Sequence, residues 1–142
     1  MQAATYHGRK DIRVEEVAEG TVGAEEVRID IDSCGICGSD LHEYTAGPIF
    51  VPEGTPHPVS EEKAPIRMGH EYSGIIAEVG GDVTGLAVGD AVAVNPILYC
   101  GECRQCHEGN YHICDSIGFI GLSGGNGGFA ESAVVHAEHA VP

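Results

Sequence analysis

The sequence predicts a mainly β fold, and three observations carry that expectation. The 142 residues include 21 glycines and seven prolines, a density that favours turns and short strands over long helices. From Val27 the side chains alternate, with Val27, Ile29 and Ile31 on one face and Arg28, Asp30 and Asp32 on the other, the pattern of a strand buried on one side. No stretch sustains a helical period. The length suits one domain, and 42% hydrophobic residues are enough for a core.

In chain order, Gln2 to Tyr6 and Asp11 to Val17 read as short strands around a turn at His7-Gly8. Gly20 to Gly23 breaks the pattern, and the alternating strand then delivers the chain to Cys34 and Cys37. Asp40 to Thr45 suits a short helical turn. Ala46 to Ile66 holds five prolines, Pro48, Pro52, Pro56, Pro58 and Pro65, which neither a helix nor a central strand tolerates. A long extended loop is expected there, either a surface excursion or a cover over a substrate site. Tyr72 to Val79 is a second strand, turned by Gly80-Gly81-Asp82. Ala91 to Val94 is a short buried strand ended by Asn95-Pro96. Ile117 to Leu122 is expected to be extended, Ser123 to Gly128 a glycine-rich loop, and Phe129 to Val135 a final strand.

The formal net charge is −15, from 22 acidic and seven basic residues. Such a surface repels phosphate backbones and anionic membranes, and with no Trp and few aromatics a base-stacking surface is not expected, so neither nucleic acid nor membrane is an expected partner. No apolar run approaches the roughly 20 residues of a membrane span. Met1 to Lys10 lacks the apolar core of a secretion signal. A cytoplasmic location follows, where thiols stay reduced, so the six cysteines point to metal rather than disulfides.

Cys100, Cys103, Cys106 and Cys114 form the strongest metal signal, a Cys-x2-Cys-x2-Cys-x7-Cys run within a lobe at 98–115. Short spacings let one loop wrap a tetrahedral zinc, and four thiolates leave no position open for water, so this site would be structural. Disulfides between such close pairs would be strained, and an iron–sulfur cluster is the other reading a four-cysteine set permits. His107 and His112 lie in the lobe as bystanders.

A second candidate set is open. Cys37, Ser39, Asp40 and His42 place a thiolate, a hydroxyl, a carboxylate and an imidazole within six residues at a strand end. That combination suits zinc binding together with proton relay. Cys37, His70 and Glu71 mix sulfur, nitrogen and oxygen from two strand ends, whereas a catalytic zinc takes three protein ligands and keeps one exchangeable position. By themselves a lone Cys and His also fit a packed thiol and a satisfied histidine, Ser39 a turn cap and Asp40 a helix cap. Cys34 is expected to be a packed thiol.

Three motifs in order resemble the zinc-containing medium-chain alcohol dehydrogenases. They are Cys37 to His42, then Gly69-His70-Glu71-Tyr72-Ser73-Gly74 followed by Gly80 and Val83, then the four-cysteine lobe. Cys37 to Tyr44, Gly47-Pro48-Ile49-Phe50 and Gly118-Phe119-Ile120-Gly121-Leu122 look most like the 2,3-butanediol dehydrogenase branch, with sorbitol and threonine dehydrogenases as neighbours. The resemblance implies a partly open β-barrel like that of the co-chaperonin GroES, with a protruding zinc lobe. It implies Cys37 and His70 on a catalytic zinc, Glu71 as a direct or exchangeable ligand, and Asp40 hydrogen-bonded to the other nitrogen of His70. Ser39 would meet the substrate oxygen and His42 would pass the proton towards solvent. Zinc, as a Lewis acid, would stabilise the alkoxide formed from a small alcohol, diol or polyol, and hydride would go to NAD or NADP.

A dinucleotide site is not found in the sequence. Gly121 to Gly128 is glycine-rich but leads into a strand rather than a helix, so no β-α-β fingerprint follows. The expectation is therefore a GroES-like catalytic domain over 1–142, with the nicotinamide-binding Rossmann domain absent from this chain. The fragment would be inactive alone, and the full-length enzyme would be a homo-oligomer. The alternatives are a non-enzymatic zinc-binding interaction module and a co-chaperone using the barrel for assembly. The acidic surface has two readings, a solvating face or adaptation to high salt, where counterions screen self-repulsion. Salt adaptation predicts that thermal stability rises steeply with added salt; a melting temperature indifferent to salt would leave only the solvating face.

Overall fold

In the computed structural model all residues, 1–142, are described. The backbone enters as a hairpin, β1 (Gln2–Gly8) and β2 (Asp11–Glu16), with the turn at Arg9-Lys10 rather than at His7-Gly8. Strand β1 runs through His7 because the register shifts between Tyr6 and Gly8, and Lys10 takes the left-handed turn position. Strand β3 (Glu26–Gly35) leads into helix α1 (Gly38–Ala46). After the proline-rich segment come β4 (Ile66–Arg67), β5 (Glu71–Val79) and β6 (Ala91–Val94). The lobe follows between β7 (Ile97–Leu98) and β8 (Gly118–Phe119), and contains the short helix α2 (Arg104–His107). Strands β9 (Ser132–His136) and β10 (Ala140–Val141) complete the chain.

Three sheets result, in the orders β2-β1-β4, β10-β6-β5-β3-β9 and β7-β8, and every pairing is antiparallel. The five-stranded sheet curls into a partly open barrel. The three-stranded sheet meets the chain leading to β9 through an Ala3–Ala130 bridge and an Ala4 N–H donated to Phe129 O at 2.7 Å. The alternation read in β3 holds: Val27 and Ile29 are fully buried and Asp30 and Asp32 exposed. Strand β6 alternates too, so Ala91 to Val94 is buried on one face only. Only Gly118 and Phe119 of the 117–122 stretch pair as strand, and the last long strand begins at Ser132 rather than Phe129. The glycine-rich stretch between them supplies backbone packing instead of ladder.

The main core gathers Ile29, Tyr72, Ile76, Val92, Ile120 and Val135 between the curled strands. A second cluster, Tyr6, Val51, Ile66, Met68 and Leu122, fills the space beneath the proline-rich segment. That segment is therefore not a loose excursion: Val51 is buried, His57 Nε2 lies 3.2 Å from Ile117 O, and Ser60 Oγ donates to Ser123 O at 2.5 Å. No helix is long and apolar enough to cross a membrane. Because Ile76 is fully buried in the main core, Ile76→Ala should destabilise the fold by about 2–5 kcal/mol; an unchanged urea midpoint would place it outside the core.

Candidate metal centre and active site

The site begins with the register of β3 on β5. Gly35 pairs with Glu71 and Cys34 with Tyr72, so the exit of one strand faces the entry of the other. Cys37 lies just past the first end and His70 just before the second. The chain can make this approach only with small residues nearby. Gly69 has φ +96, and Gly121, with φ +83, packs its Cα against the Gly69 carbonyl, where an added Cβ would lie 2.0 Å from the oxygen.

Helix α1 supplies the remaining side chains. Its N-cap is Cys37, whose backbone N–H donates to Asp40 Oδ2 at 2.8 Å. This closes half of a capping box and fixes the Asp40 carboxylate. Asp40 Oδ1 then faces His70 Nδ1 at 3.5 Å, and Ser39 Oγ lies 3.2 Å from His70 Nε2. The imidazole is thus oriented, with Nδ1 towards the carboxylate and Nε2 towards the cavity. Asp40 is only 4% exposed, and burial pushes its carboxyl upward, against the pull of the Cys37 amide and His70. His42, one turn after Ser39, is exposed at the surface.

One ligand atom each from Cys37, His70 and Glu71 falls within 4.8 Å of the others. Asp40 Oδ1 and His70 Nδ1 are buried without a close hydrogen-bond partner. A cation on the Nε2 side would orient the imidazole and draw the Asp40–His70 pair together. The donor set, one thiolate, one imidazole and one carboxylate, fits zinc. Beside it is a pocket of about 150 Å³ lined by Ser39, Phe50, His70, Phe119 and Leu122. Phe50 meets Phe119 edge-on, centroids 5.6 Å apart. Phe50, Phe119 and Leu122 were legible only as parts of motifs, since nothing in their local spacing marks a pocket wall. Cys34 is half-buried against the core, where burial pushes its thiol up to about 11, and its sulfur is not among the converging donor atoms.

In the lobe all four cysteine sulfurs converge, with Sγ–Sγ distances of 3.5 Å for Cys103–Cys106, 3.5 Å for Cys100–Cys114 and 3.9 Å for Cys103–Cys114. A tetrahedron with Zn–S of about 2.3 Å has an edge of about 3.8 Å, whereas a disulfide would bring two sulfurs to about 2.05 Å. The spacing is that of a metal cage, and all four thiols are free. Backbone amides reach these sulfurs, while burial pushes the Cys106 thiol up to about 12. Cys100 N–H and Ser116 N–H donate to Cys114 Sγ at 3.3 Å, and amides of Asp115 and Cys106 bring the Cys103 thiol down to about 6. His107 and His112 are exposed outside the cluster. Tyr99 stacks on Tyr111, centroids 4.3 Å apart, bracing the base of the lobe.

Residues 23–142 match the alcohol dehydrogenase GroES-like domain. The chain belongs to that family, the catalytic domains of zinc-containing medium-chain alcohol dehydrogenases. It is 48% identical over 138 residues to (R,R)-butanediol dehydrogenase of Bacillus subtilis (strain 168), which takes in 97% of this chain and 39% of that protein. The crystal structure of 2R,3R-butanediol dehydrogenase from Bacillus subtilis superposes with a TM-score of 0.91 at 47% identity, over 98% of this chain and 39% of that one. A zinc-binding dehydrogenase of Sinorhizobium meliloti 1021 bound to NADP superposes at 0.82 with 29% identity, over 98% and 37%. The chain thus spans about 39% of the length of the butanediol dehydrogenase it matches.

Because structural metal contributes directly to folding, Cys103→Ser should lower the bound metal by one ion per chain and cost several kcal/mol of stability. Full stability with full metal content would remove Cys103 from the cage.

Proposed function

We propose that this chain is the zinc-holding catalytic domain of an NAD(P)-dependent dehydrogenase acting on small secondary alcohols or diols. The single observation that carries the reading is the meeting of Cys37, His70 and Glu71 within 4.8 Å beside Ser39 and a small apolar pocket. The butanediol dehydrogenase relative supports the diol substrate, and the NADP-bound neighbour supports the nicotinamide.

In this reading Cys37, His70 and Glu71 hold one zinc and the four lobe cysteines hold a second, structural one. The first, when bound, would supply Lewis acidity beside Ser39. Asp40 keeps the Nδ1 side of His70 engaged, so that Nε2 is presented as the donor. Ser39, 3.2 Å from that nitrogen, reaches the place a substrate oxygen would take and would accept its proton while releasing its own towards His42. His42, exposed one helical turn on, hands the proton to solvent. Phe50, Phe119 and Leu122 exclude water from the carbon that gives up hydride. The hydride acceptor needs a β-α-β unit, and all the paired strands here are antiparallel, so the nicotinamide domain would belong to a longer protein.

In that full-length protein, His70→Ala should abolish alcohol-dependent NAD(P) reduction while leaving the circular dichroism spectrum unchanged, and should lower zinc from two ions per chain to one. Retained turnover would take His70 out of the site. A wild-type content of one zinc, with no alcohol oxidised, would overturn the dehydrogenase reading.

A further inference from the structure

Glu43 is a fully buried carboxylate, and none of the roles above uses it. It lies on α1 one turn after Ser39 and Asp40. A carboxylate taken from water needs strong partners, and here they are three consecutive backbone amides. Ile49 N–H reaches Oε2 at 3.0 Å and Oε1 at 3.2 Å, Val51 N–H reaches Oε1 at 3.3 Å, and Phe50 N–H donates to the same Oε1. The backbone of the same residue closes the turn, since Glu43 O accepts from Gly47 N–H at 2.9 Å. A Cβ at Gly47 would lie 2.4 Å from that oxygen and 2.7 Å from Tyr6 Oη. The chain therefore leaves α1, doubles back, and is clamped by a side chain of the helix it has just left.

The middle residue of the clamped three is Phe50, a wall of the pocket beside Ser39 and His70. Phe50 as a residue is 43% exposed, so its own burial does not fix it. The backbone clamp does. With Phe50 held against Phe119, the side chains of Phe50, Phe119 and Leu122 offer no hydrogen bond, and polyol hydroxyls beyond the reach of Ser39 and His70 would be stripped of water without replacement.

We infer that Glu43 is a positioning residue that locks Phe50 into the pocket wall and thereby selects short alkyl-ended alcohols and diols over polyols. This rests on the dehydrogenase reading. It is tested in the full-length enzyme with Glu43→Gln, whose amide NH2 replaces one acceptor while keeping the size. The measurements are kcat/KM for a four-carbon vicinal diol and for a hexitol, zinc content, and amide hydrogen exchange at residues 49–51. Expected are two zinc ions as in wild type, exchange at 49–51 faster by about tenfold, and a diol-over-hexitol preference reduced about tenfold through the diol KM, with kcat little changed. Phe50→Ala should lower the preference likewise, and the double variant should fall no further than either single one.

Unaltered exchange at 49–51, or an unaltered preference in an enzyme that still oxidises the diol, overturns the role of Glu43 and leaves the dehydrogenase reading standing. A wild-type enzyme that oxidises neither substrate overturns both. Should Glu43→Gln not fold, Phe50→Ala decides, because an unchanged preference there removes Phe50 as the selecting wall and the proposal with it.

Discussion

The pairing of β3 with β5 is the constraint on which the site depends. Cys37 and His70 are 33 positions apart in sequence, and no local preference brings them together. The antiparallel ladder does so by setting Gly35 opposite Glu71. A slip of one residue would turn every side chain of a strand to the other face, exposing Val27 and Ile29 and separating sulfur from imidazole. The hydrophobic pattern that fills the barrel therefore also sets how Cys37, His70 and Glu71 meet. Core and chemistry share one register.

Helix α1 shows how few residues can do several jobs once that register is set. Asp40 caps the helix through the Cys37 amide and orients His70 with its second oxygen. Glu43, a turn later, faces the other way in function: it binds the backbone that follows the helix. Both are buried carboxyl groups; three amides replace the lost water at Glu43, whereas Asp40 has one amide on Oδ2 and leaves Oδ1 facing the imidazole at 3.5 Å.

What could be read from residues alone divides along the range of the interactions. The four-cysteine lobe was legible because its ligands lie within 15 positions of one another, so spacing carries the geometry. The half-buried β3 was legible from alternation. Cys37 and His70 were visible as strand ends, but only family resemblance joined them. The turn after β1 was misplaced by two residues because a register shift carries the strand past Gly8. Glu43 and Phe50 gave no local signal, since a glutamate on a short polar helix looks like a solvated one until residues 49–51 fold back onto it. Cys34 is half-buried on a strand that is buried elsewhere, which alternation places on a face but does not measure.

The stalk of the lobe has a further consequence. At its base strands β7 and β8 pair with each other through two residue pairs, and one of those residues, Phe119, is also a pocket wall. The four-cysteine knuckle and the pocket beside His70 are thus two ends of one short lever. Oxidation of the distant thiols would be transmitted along β8 to Phe119 and so to the wall of the pocket beside Ser39 and His70.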